Sequence, residues 1–227
     1  MSPGAALVLL RGTPAVLAEA EAALAPDEAC QLAGFRVEKR RHDWLLGRLA
    51  AKRAGLGLLR EGQPLTSLAV AVAPGGAPSL CDAATGAPGP AVSITHSAGC
   101  AAALATFGRA GVDLEAQRPM PPGAARFFLT PAEQGWLAGG DWGADGELAA
   151  WALKEAAYKA LGGAPGALTH LALQPAARGQ AATLSHAGVD LRGRWAMAGG
   201  FCLAIAWVGP GPRILEDLAL EAALASL

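Results

Sequence analysis

The most informative helix of the chain is the stretch Trp151-Ala-Leu-Lys154-Glu155-Ala-Ala-Tyr158-Lys159-Ala-Leu-Gly162-Gly163. Alanine and leucine favour a helix here, and the two glycines supply a C-terminal stop. With about 3.6 residues per turn, Trp151, Glu155 and Lys159 share one stripe, and Lys154 lies at its edge. The stripe is either an exposed Glu-to-Lys pair beside a core tryptophan or part of a site for a charged ligand.

A second acidic feature lies upstream, in the stretch Gly111-Val-Asp113-Leu-Glu115. If this stretch is a strand, alternation places Asp113 and Glu115 on the same face. Two carboxylates on one face repel each other unless a cation lies between them, and ligand sets made of oxygen alone suit Mg²⁺. The alternative is a half-exposed strand with acidic outer residues.

Length and composition favour a cytoplasmic globular protein. The 227 residues can bury the core of one large domain or two small halves. No apolar run reaches the length of about 18 residues that a membrane span needs. No basic region precedes the apolar run Ala5–Leu10, so this run is predicted to be a first strand and not a signal peptide. The four cysteines form no CxxC and predict buried reduced thiols, and the four histidines show no spacing typical of a zinc site.

The charge is unevenly distributed along the chain. A net charge of −1 argues against general nucleic-acid binding. Eight of the 18 basic residues and two acidic residues lie between Arg36 and Arg60, which gives this segment a charge of +6 and the remainder −7. We call residues 36–60 the basic segment. It suggests a compact polyanionic ligand or an acidic partner.

A helix is predicted over Arg40–Arg53, within the basic segment. Its Leu45, Leu49 and Ala50 are expected to face the core, while Arg41, Arg48 and Lys52 share one flank. Arginine on such a flank can bind phosphate through two hydrogen bonds. A solvated basic face is the alternative.

The other elements are predicted from caps, turns and alternation. The predicted helices are Thr13–Leu24, a short one after residues 25–27, one that opens with the capping box Thr130-Pro-Ala-Glu133, and the tail from Ile214. The predicted strands are Ser67–Val72, Ala91–Ser97, Cys100–Phe107 forming a hairpin with Gly111–Glu115, Leu168–Leu173, Ala181–Ser185, and a hairpin of Arg194–Met197 with Phe201–Trp207 through Gly199 and Gly200. Residues 117–123 are the best linker, so we expect one half over residues 1–118 and another over residues 119–227.

The pair His96-Ser97 ends the strand Ala91–Ser97. A single histidine at a strand end is usually structural. Followed by serine after alternating valine and isoleucine, it could instead donate hydrogen bonds to a phosphate.

Taken together, these stretches resemble a known family. Gly111-Val-Asp113-Leu-Glu115 followed by Trp151-Ala-Leu-Lys154-Glu155-Ala-Ala-Tyr158-Lys159 is similar to the paired signature of the 4′-phosphopantetheinyl transferases, G-x-D-x-E and then W-x-x-K-E-x-x-x-K. The length and two-part layout resemble the monomeric surfactin-synthetase-activating class. Supporting matches are Ser93-Ile-Thr-His96-Ser97, the Leu-Leu-Gly-Arg stretch around Gly47, and Phe127-Phe128 ahead of Glu133, so the resemblance spans about Arg36 to Gly163.

The resemblance implies an α+β fold of two similar halves related by pseudo-twofold symmetry, with coenzyme A in the cleft between them. It implies Mg²⁺ bound by Asp113, Glu115 and Glu155. It further implies that Lys154 and Lys159 lie at the pyrophosphate. By the same carry-over, His96 and Ser97 contact the nucleotide phosphates, and Arg41 and Arg48 belong to the region that holds coenzyme A.

One position departs from the family pattern. Family members often carry G-K-P before the Ser-x-x-His strand, and the lysine reaches a phosphate of coenzyme A. The matching piece here is Gly76-Ala77-Pro78, so this charge is missing.

The implied reaction transfers 4′-phosphopantetheine from coenzyme A to a serine of an acyl, polyketide or peptidyl carrier protein and releases 3′,5′-ADP. Lys159 is expected to stabilise developing negative charge, and Glu155 is a candidate base, directly or through a water. Trp151 is expected to be structural. Two other functions are weighed: a non-catalytic module that binds coenzyme A or a carrier protein, which the missing lysine favours, and a Mg²⁺-dependent phosphohydrolase.

Overall fold

The computed structural model describes residues 4–59, 62–140, 142–163, 166–175, 181–209, 220–225 and 227. The chain divides into two compact units, residues 1–108 together with Leu227, and residues 109–226. This division falls between Gly108 and Arg109, whereas the predicted boundary lies after residue 118. Each unit combines helices with one antiparallel five-stranded sheet, as expected for an α+β fold.

The first unit places three helices between its first and second strands. Its sheet order is β1-β5-β4-β3-β2, with every neighbouring pair antiparallel. The elements are β1 (Ala5–Arg11), α1 (Pro14–Ala22), α2 (Pro26–Ala33), α3 (Glu38–Leu59), β2 (Leu68–Val72), β3 (Pro78–Asp82), β4 (Pro88–Ser97) and β5 (Cys100–Thr106).

The predicted caps and core positions of the first unit are confirmed. The Thr13 hydroxyl accepts a hydrogen bond from the Val16 N–H, and Pro14 occupies the first turn of α1. Helix α3 is longer than predicted, and Leu45, Leu49 and Ala50 are all buried. Lys52 is also fully buried, so the prediction that it shares one flank of the helix with the partly exposed Arg41 is wrong.

Strand β5 is an inner strand of the first sheet, between β1 and β4, and is built almost entirely from small residues. All its residues from Cys100 to Thr106 are buried, including Ala101, Ala102, Ala103 and Ala105. Its two edges pair with β1 and β4, so neither edge is free for the strand that follows. The predicted hairpin between Cys100–Phe107 and Gly111–Glu115 is therefore wrong.

The second unit repeats this arrangement with different side chains. Its sheet order is β6-β10-β9-β8-β7, again antiparallel throughout. In both sheets the first strand along the chain pairs with the last, and at least two helices lie between the first and second strands. The elements are β6 (Ala110–Ala116), α4 (Pro131–Ala138), α5 (Gly146–Ala160), β7 (Ala172–Pro175), β8 (Ala181–His186), β9 (Val189–Ala198), β10 (Phe201–Val208) and α6 (Leu220–Ala225).

Local signals in the second unit predict its helix ends well. Thr130 and Glu133 form the predicted capping box, with Pro131 at the first helical position of α4. Helix α5 stops at Ala160, and Gly162 and Gly163 follow with φ of +68° and +81°, values that glycine adopts readily.

The remaining predictions of the second unit have mixed outcomes. The β9–β10 hairpin turns at Gly199 and Gly200, as predicted. The predicted helical tail is confirmed over Leu220–Ala225, while residues 214–219 lie outside the described residues. Among the described residues, no helix is both long and apolar enough to cross a bilayer.

The cysteines are free, but they are not all buried. Cys100 and Cys202 are buried in the two sheets, as predicted for inert thiols. Cys81 is half-buried and Cys30 is exposed on α2, so the prediction of four buried thiols is wrong for these two. Cys30 lies on the solvent side of a short helix, where sequence spacing gives no sign of burial.

Candidate active site

The site of the second unit is built where β6 lies directly against α5. Gly111 has no side chain, and a Cβ atom placed there would lie 2.1 Å from the Ala156 carbonyl oxygen and 2.8 Å from the Ala160 nitrogen. Any larger residue would push the strand and the helix apart. This close approach lets Asp113 and Glu115 on β6 lie alongside Glu155 and Lys159 on α5.

Lys159 joins the two elements through its ammonium group. Its Nζ lies 2.6 Å from Asp113 Oδ1 and donates a second hydrogen bond to the Val112 carbonyl oxygen at 3.2 Å. The Asp113 side chain is only 6% exposed, whereas that of Lys159 is 27% exposed. The ammonium therefore neutralises a nearly buried carboxylate and still reaches solvent.

Trp151 fixes the position of Glu115. Its indole Nε1–H donates a hydrogen bond of 2.8 Å to Glu115 Oε1. The ring also packs edge-on against Phe128, with 5.2 Å between ring centroids. Trp151 is thus a structural residue, as predicted. The side chain that it holds in place is Glu115, one of the predicted metal ligands.

The carboxylates of this site repel one another. Burial raises the pKa of Glu155, and the nearby charges of Asp113 and Glu115 raise it further against the opposing effect of Lys159. Burial is also the largest cause that raises the pKa of Glu115; Asp113 adds to it, while the Trp151 hydrogen bond, Arg118 and Lys159 act against it. A site with these pKa shifts gains stability from an added cation.

The donor chemistry fits a hard divalent cation. Asp113, Glu115 and Glu155 offer carboxylate oxygens from two adjacent elements, the ligand type that Mg²⁺ prefers. Among the described residues, no group of three or more His, Cys, Asp or Glu is already arranged to hold a metal ion. Two of the three carboxylates have other partners, because Lys159 donates to Asp113 and Trp151 donates to Glu115.

The environment of Lys154 differs from that of Lys159. Its side chain is completely buried, and its ammonium lies 2.7 Å from Glu133 Oε2 and donates to the carbonyl oxygens of Phe128 at 2.8 Å and Leu168 at 3.3 Å. Burial lowers its pKa, and Glu133 opposes that effect. In this structure the Lys154 ammonium therefore has three internal oxygen partners, and it does not lie with Glu155 and Lys159.

The predicted coenzyme-binding residues of the first unit lie on α3 and at the end of β4. His96 is half exposed, and its Nδ1 lies 3.8 Å from Asp43 Oδ2, which also pairs with Lys39 at 2.6 Å. Ser97 is the last residue of β4 and is partly buried.

The two predicted arginines of α3 differ in accessibility. The Arg41 guanidinium pairs with Glu21 and keeps 34% of its side chain exposed. The Arg48 side chain is only 12% exposed; it lies over the Trp44 ring at 4.6 Å and 3.8 Å from Glu28. Arg41 is therefore the more accessible of the two.

The turn between β2 and β3 contains the position that lacks the family lysine. Ala77 is exposed, and Gly76 adopts a φ of +84° in this turn. The Ala73 N–H donates to the Ala77 carbonyl oxygen, which closes the hairpin.

Sequence reasoning missed two buried glutamates, Glu28 and Glu133, each less than 5% exposed. Both occupy the third position of a helix that begins with proline, and each accepts a hydrogen bond from the N–H of the residue before the helix. The capping-box pattern around Glu133 was recognised, but a cap is normally exposed. Nothing in the local sequence shows that its carboxylate is buried beside a lysine.

Comparison with known proteins extends this description. Residues 109–197 match the model of the 4′-phosphopantetheinyl transferase superfamily. The match supports that superfamily. It covers β6, α4, α5 and most of β9, and so includes Asp113, Glu115, Glu155 and Lys159.

Two solved structures are similar to part of this chain. Helicobacter pylori holo-[acyl-carrier-protein] synthase in complex with coenzyme A aligns with 45% of this chain and 97% of its own, at 18% identity and a TM-score of 0.31. The Thermotoga maritima holo-[acyl-carrier-protein] synthase aligns with 52% of this chain and 71% of its own, at 22% identity and a TM-score of 0.34. No significant match was found among curated proteins.

Proposed function

We propose that this protein transfers the 4′-phosphopantetheine group from coenzyme A to a serine of a carrier protein. One observation carries the proposal. The close packing of β6 on α5 brings Asp113, Glu115, Glu155 and Lys159 together, within the stretch that matches the superfamily model. Three carboxylates with a partly exposed lysine are better suited to the chemistry of a pyrophosphate than to a purely structural role.

In the proposed reaction, the serine oxygen forms a bond to the β-phosphorus of the coenzyme A pyrophosphate. The bond from that phosphorus to the bridging oxygen breaks, and 3′,5′-ADP leaves with the electron pair. Lys159 is placed to stabilise negative charge that develops on the leaving phosphate. The serine proton passes to Glu155, directly or through a water.

Mg²⁺ belongs to this proposal as a required ion. Asp113, Glu115 and Glu155 are the residues that would hold it, and when bound it supplies neutralising charge to the pyrophosphate. Because a metal ligand is a poor base, a water next to Glu155 is an equally good acceptor for the serine proton.

The coenzyme contacts of the first unit remain proposals. Arg41 has the exposure that a phosphate contact needs, and the half-exposed His96 and the partly buried Ser97 are the last two residues of β4. Arg48 is mostly covered by its own neighbours and has the weaker claim. With Ala77 in place of the family lysine, Arg41 is the candidate to bind the 3′-phosphate.

We further assign the protein to the monomeric surfactin-synthetase-activating class, with holo-[acyl-carrier-protein] synthase activity. The support is that one chain carries two units with the same strand order. Free cysteines throughout the chain are consistent with a cytoplasmic protein.

The test is mass spectrometry of a panel of apo carrier proteins incubated with coenzyme A, Mg²⁺ and the enzyme. We expect at least one carrier to gain the mass of one phosphopantetheine group, and no gain with Glu155→Ala or in EDTA. Tight binding of coenzyme A without any transfer would indicate a binding module instead. Phosphate release from coenzyme A without a carrier would indicate a phosphohydrolase.

A further inference from the structure

A buried ion pair in the second unit connects α5 with α4 and β7. Glu133 on α4 accepts hydrogen bonds from the Thr130 N–H at 2.8 Å and from the Leu173 N–H of β7 at 2.7 Å. Lys154 on α5 lies 2.7 Å from the same carboxylate and donates to the Phe128 carbonyl oxygen at 2.8 Å. We call Lys154, Glu133 and these backbone groups the second clamp.

The first unit contains the same set of contacts. Glu28 on α2 accepts hydrogen bonds from the Ala25 N–H at 2.9 Å and from the Val70 N–H of β2 at 3.0 Å. Lys52 on α3 lies 2.5 Å from Glu28 and donates to the Ala23 carbonyl oxygen at 2.7 Å. Both side chains of this pair, like those of the second clamp, are at most 5% exposed. This is the first clamp.

The correspondence between the clamps extends to individual oxygen atoms of the two glutamates. In both, the Oε2 atom accepts from the residue before the helix and faces the lysine, and Oε1 accepts from the strand. The lysine donates to the carbonyl oxygen two residues ahead of the capping residue in each case. A further pair of equivalent bonds joins Gly12 N–H to the Gly99 oxygen and Gln117 N–H to the Gly200 oxygen.

The proposed catalytic residues do not follow this repeat. Arg11 of β1 pairs with Cys100, and Ala116 of β6 pairs with Phe201, each partner being the first residue of the last strand. Counting back from these pairs, Asp113 corresponds to Val8 and Glu115 to Leu10. After the clamp lysine comes Arg53 in one unit and Glu155 in the other. The clamp is thus present both with and without the carboxylates.

We infer that Lys154 and Glu133 are positioning residues that hold α5 against α4 and β7, and that Lys154 makes no contact with coenzyme A. Their importance for catalysis rests on the proposed function, because α5 carries Glu155 and Lys159. The clamp itself rests on the contacts alone. In the first unit, Lys52 makes the same buried contacts although that unit lacks counterparts of the Asp113, Glu115 and Glu155 carboxylates. The buried contacts alone therefore account for a lysine at this position, without a pyrophosphate partner.

The unmodified protein offers a direct test, because the chain has four lysines, at positions 39, 52, 154 and 159. Lys39 is 76% and Lys159 is 27% exposed, whereas Lys52 and Lys154 are fully buried. Amine acylation followed by peptide mass spectrometry should label Lys52 and Lys154 at least about a hundredfold more slowly than Lys39, because a buried amine reacts only on local opening. Adding 3′,5′-ADP and Mg²⁺ should protect Lys159 and leave the slow rate of Lys154 unchanged.

The labelling outcomes separate the two proposals. Rapid labelling of Lys154 in the free protein, with protection by 3′,5′-ADP, would overturn the clamp and restore the pyrophosphate contact. Slow labelling of Lys154 together with an unprotected Lys159 supports the clamp and counts against the proposed function.

Variants add a kinetic test with a matched control. Lys154→Met and Glu133→Gln should both increase hydrogen exchange over residues 146–160 and lower kcat about tenfold or more, while KM for coenzyme A stays within about twofold. The kcat of the double variant should be no lower than that of the worse single variant, because the second substitution removes the buried group that the first leaves unpaired. Lys52→Met is the control, and its increased exchange should lie in α3 instead of α5.

A pyrophosphate contact predicts a different result. KM for coenzyme A would then rise at least tenfold in Lys154→Met and stay unchanged in Glu133→Gln, and this split would overturn the inference. Should the variants fail to fold, the labelling of the unmodified protein decides the question without them.

Discussion

At the scale of single residues, the acidic cluster of the second unit is unusual because its charges are close together and at least partly buried. Asp113 as a whole residue is 4% exposed. The pKa values of Glu115 and Glu155 are raised first by burial and then by neighbouring carboxylates. We expect Asp113→Ala, Glu115→Ala and Glu155→Ala each to lower transfer by at least about a hundredfold, the order of effect for loss of one electrostatic stabiliser. Steady-state assays at saturating Mg²⁺ measure this loss.

Glu147→Ala is the matched control for these variants, because Glu147 is exposed on the same helix. It should leave both turnover and thermal unfolding unchanged. Near wild-type turnover of Glu155→Ala at saturating Mg²⁺ would show that the central assignment is wrong.

Trp151 gives a second prediction at the residue scale. Trp151→Phe keeps a ring that can pack on Phe128 but removes the N–H donor to Glu115. Loss of a hydrogen bond that orients a metal ligand typically costs about 10–100-fold in metal affinity. We expect the Mg²⁺ concentration for half-maximal transfer to rise by that factor, with the maximal rate largely retained. An unchanged Mg²⁺ titration would remove Glu115 from the set of ligands.

At the scale of elements, the distance between β6 and α5 controls the site. Gly111→Ala places a methyl group 2.1 Å from the Ala156 carbonyl oxygen, so the strand and the helix must separate. Overpacking of this kind costs about 1–3 kcal/mol, and the separation should also lower transfer. Thermal unfolding and transfer assays measure the two effects.

Gly135→Ala provides the control, because a Cβ at this exposed position of α4 meets nothing within 4 Å. It should leave transfer unchanged and stabilise the protein by about 0.5–1 kcal/mol, as expected for glycine replaced in a helix. Equal effects of the two substitutions would mean that the contact at Gly111 does not matter.

The sequence predicts elements well where the signal is local and poorly where pairing is distant. The cap at Thr13 and the stop after α5 depend on adjacent residues, and both are confirmed. The strand β3 was missed because Pro78–Asp82 is short and lies among prolines and glycines. The β5–β6 hairpin was wrong because the partner of β6 is β10, about ninety residues away, and no local pattern reveals such pairing.

The candidate site follows the same rule. Asp113, Glu115, Glu155 and Lys159 come from motifs with clear spacing, and the structure brings them together. Lys154 belongs to the same motif, but its partner in the structure is Glu133, and only the tertiary structure specifies that pairing. Motif membership alone does not separate a residue that contacts a ligand from one that holds the helix.

At the scale of the whole molecule, charge is concentrated in one segment. The basic segment carries +6 in a chain of net charge −1, although the structure commits Lys52 to Glu28 and covers most of Arg48. The remaining cations can attract an acidic carrier protein. We expect the KM for the carrier to rise steadily between low and high ionic strength, because salt screens charges on an exposed surface. Initial rates at several salt concentrations provide the measurement.

KM for coenzyme A at the same salt concentrations serves as the internal comparison. A KM for the carrier that stays flat over this range would show that the encounter is not steered by charge.

The burial of Lys52 and Lys154 has a practical consequence for handling the protein. Of the four lysines, only Lys39 and Lys159 present side chains to solvent, and Lys159 lies in the candidate site. Coupling to a sensor chip or a dye through lysine amines would therefore also modify the candidate site. Cys30 is the exposed thiol, on a helix of the first unit, so maleimide chemistry at that position offers a uniform attachment that spares Lys159.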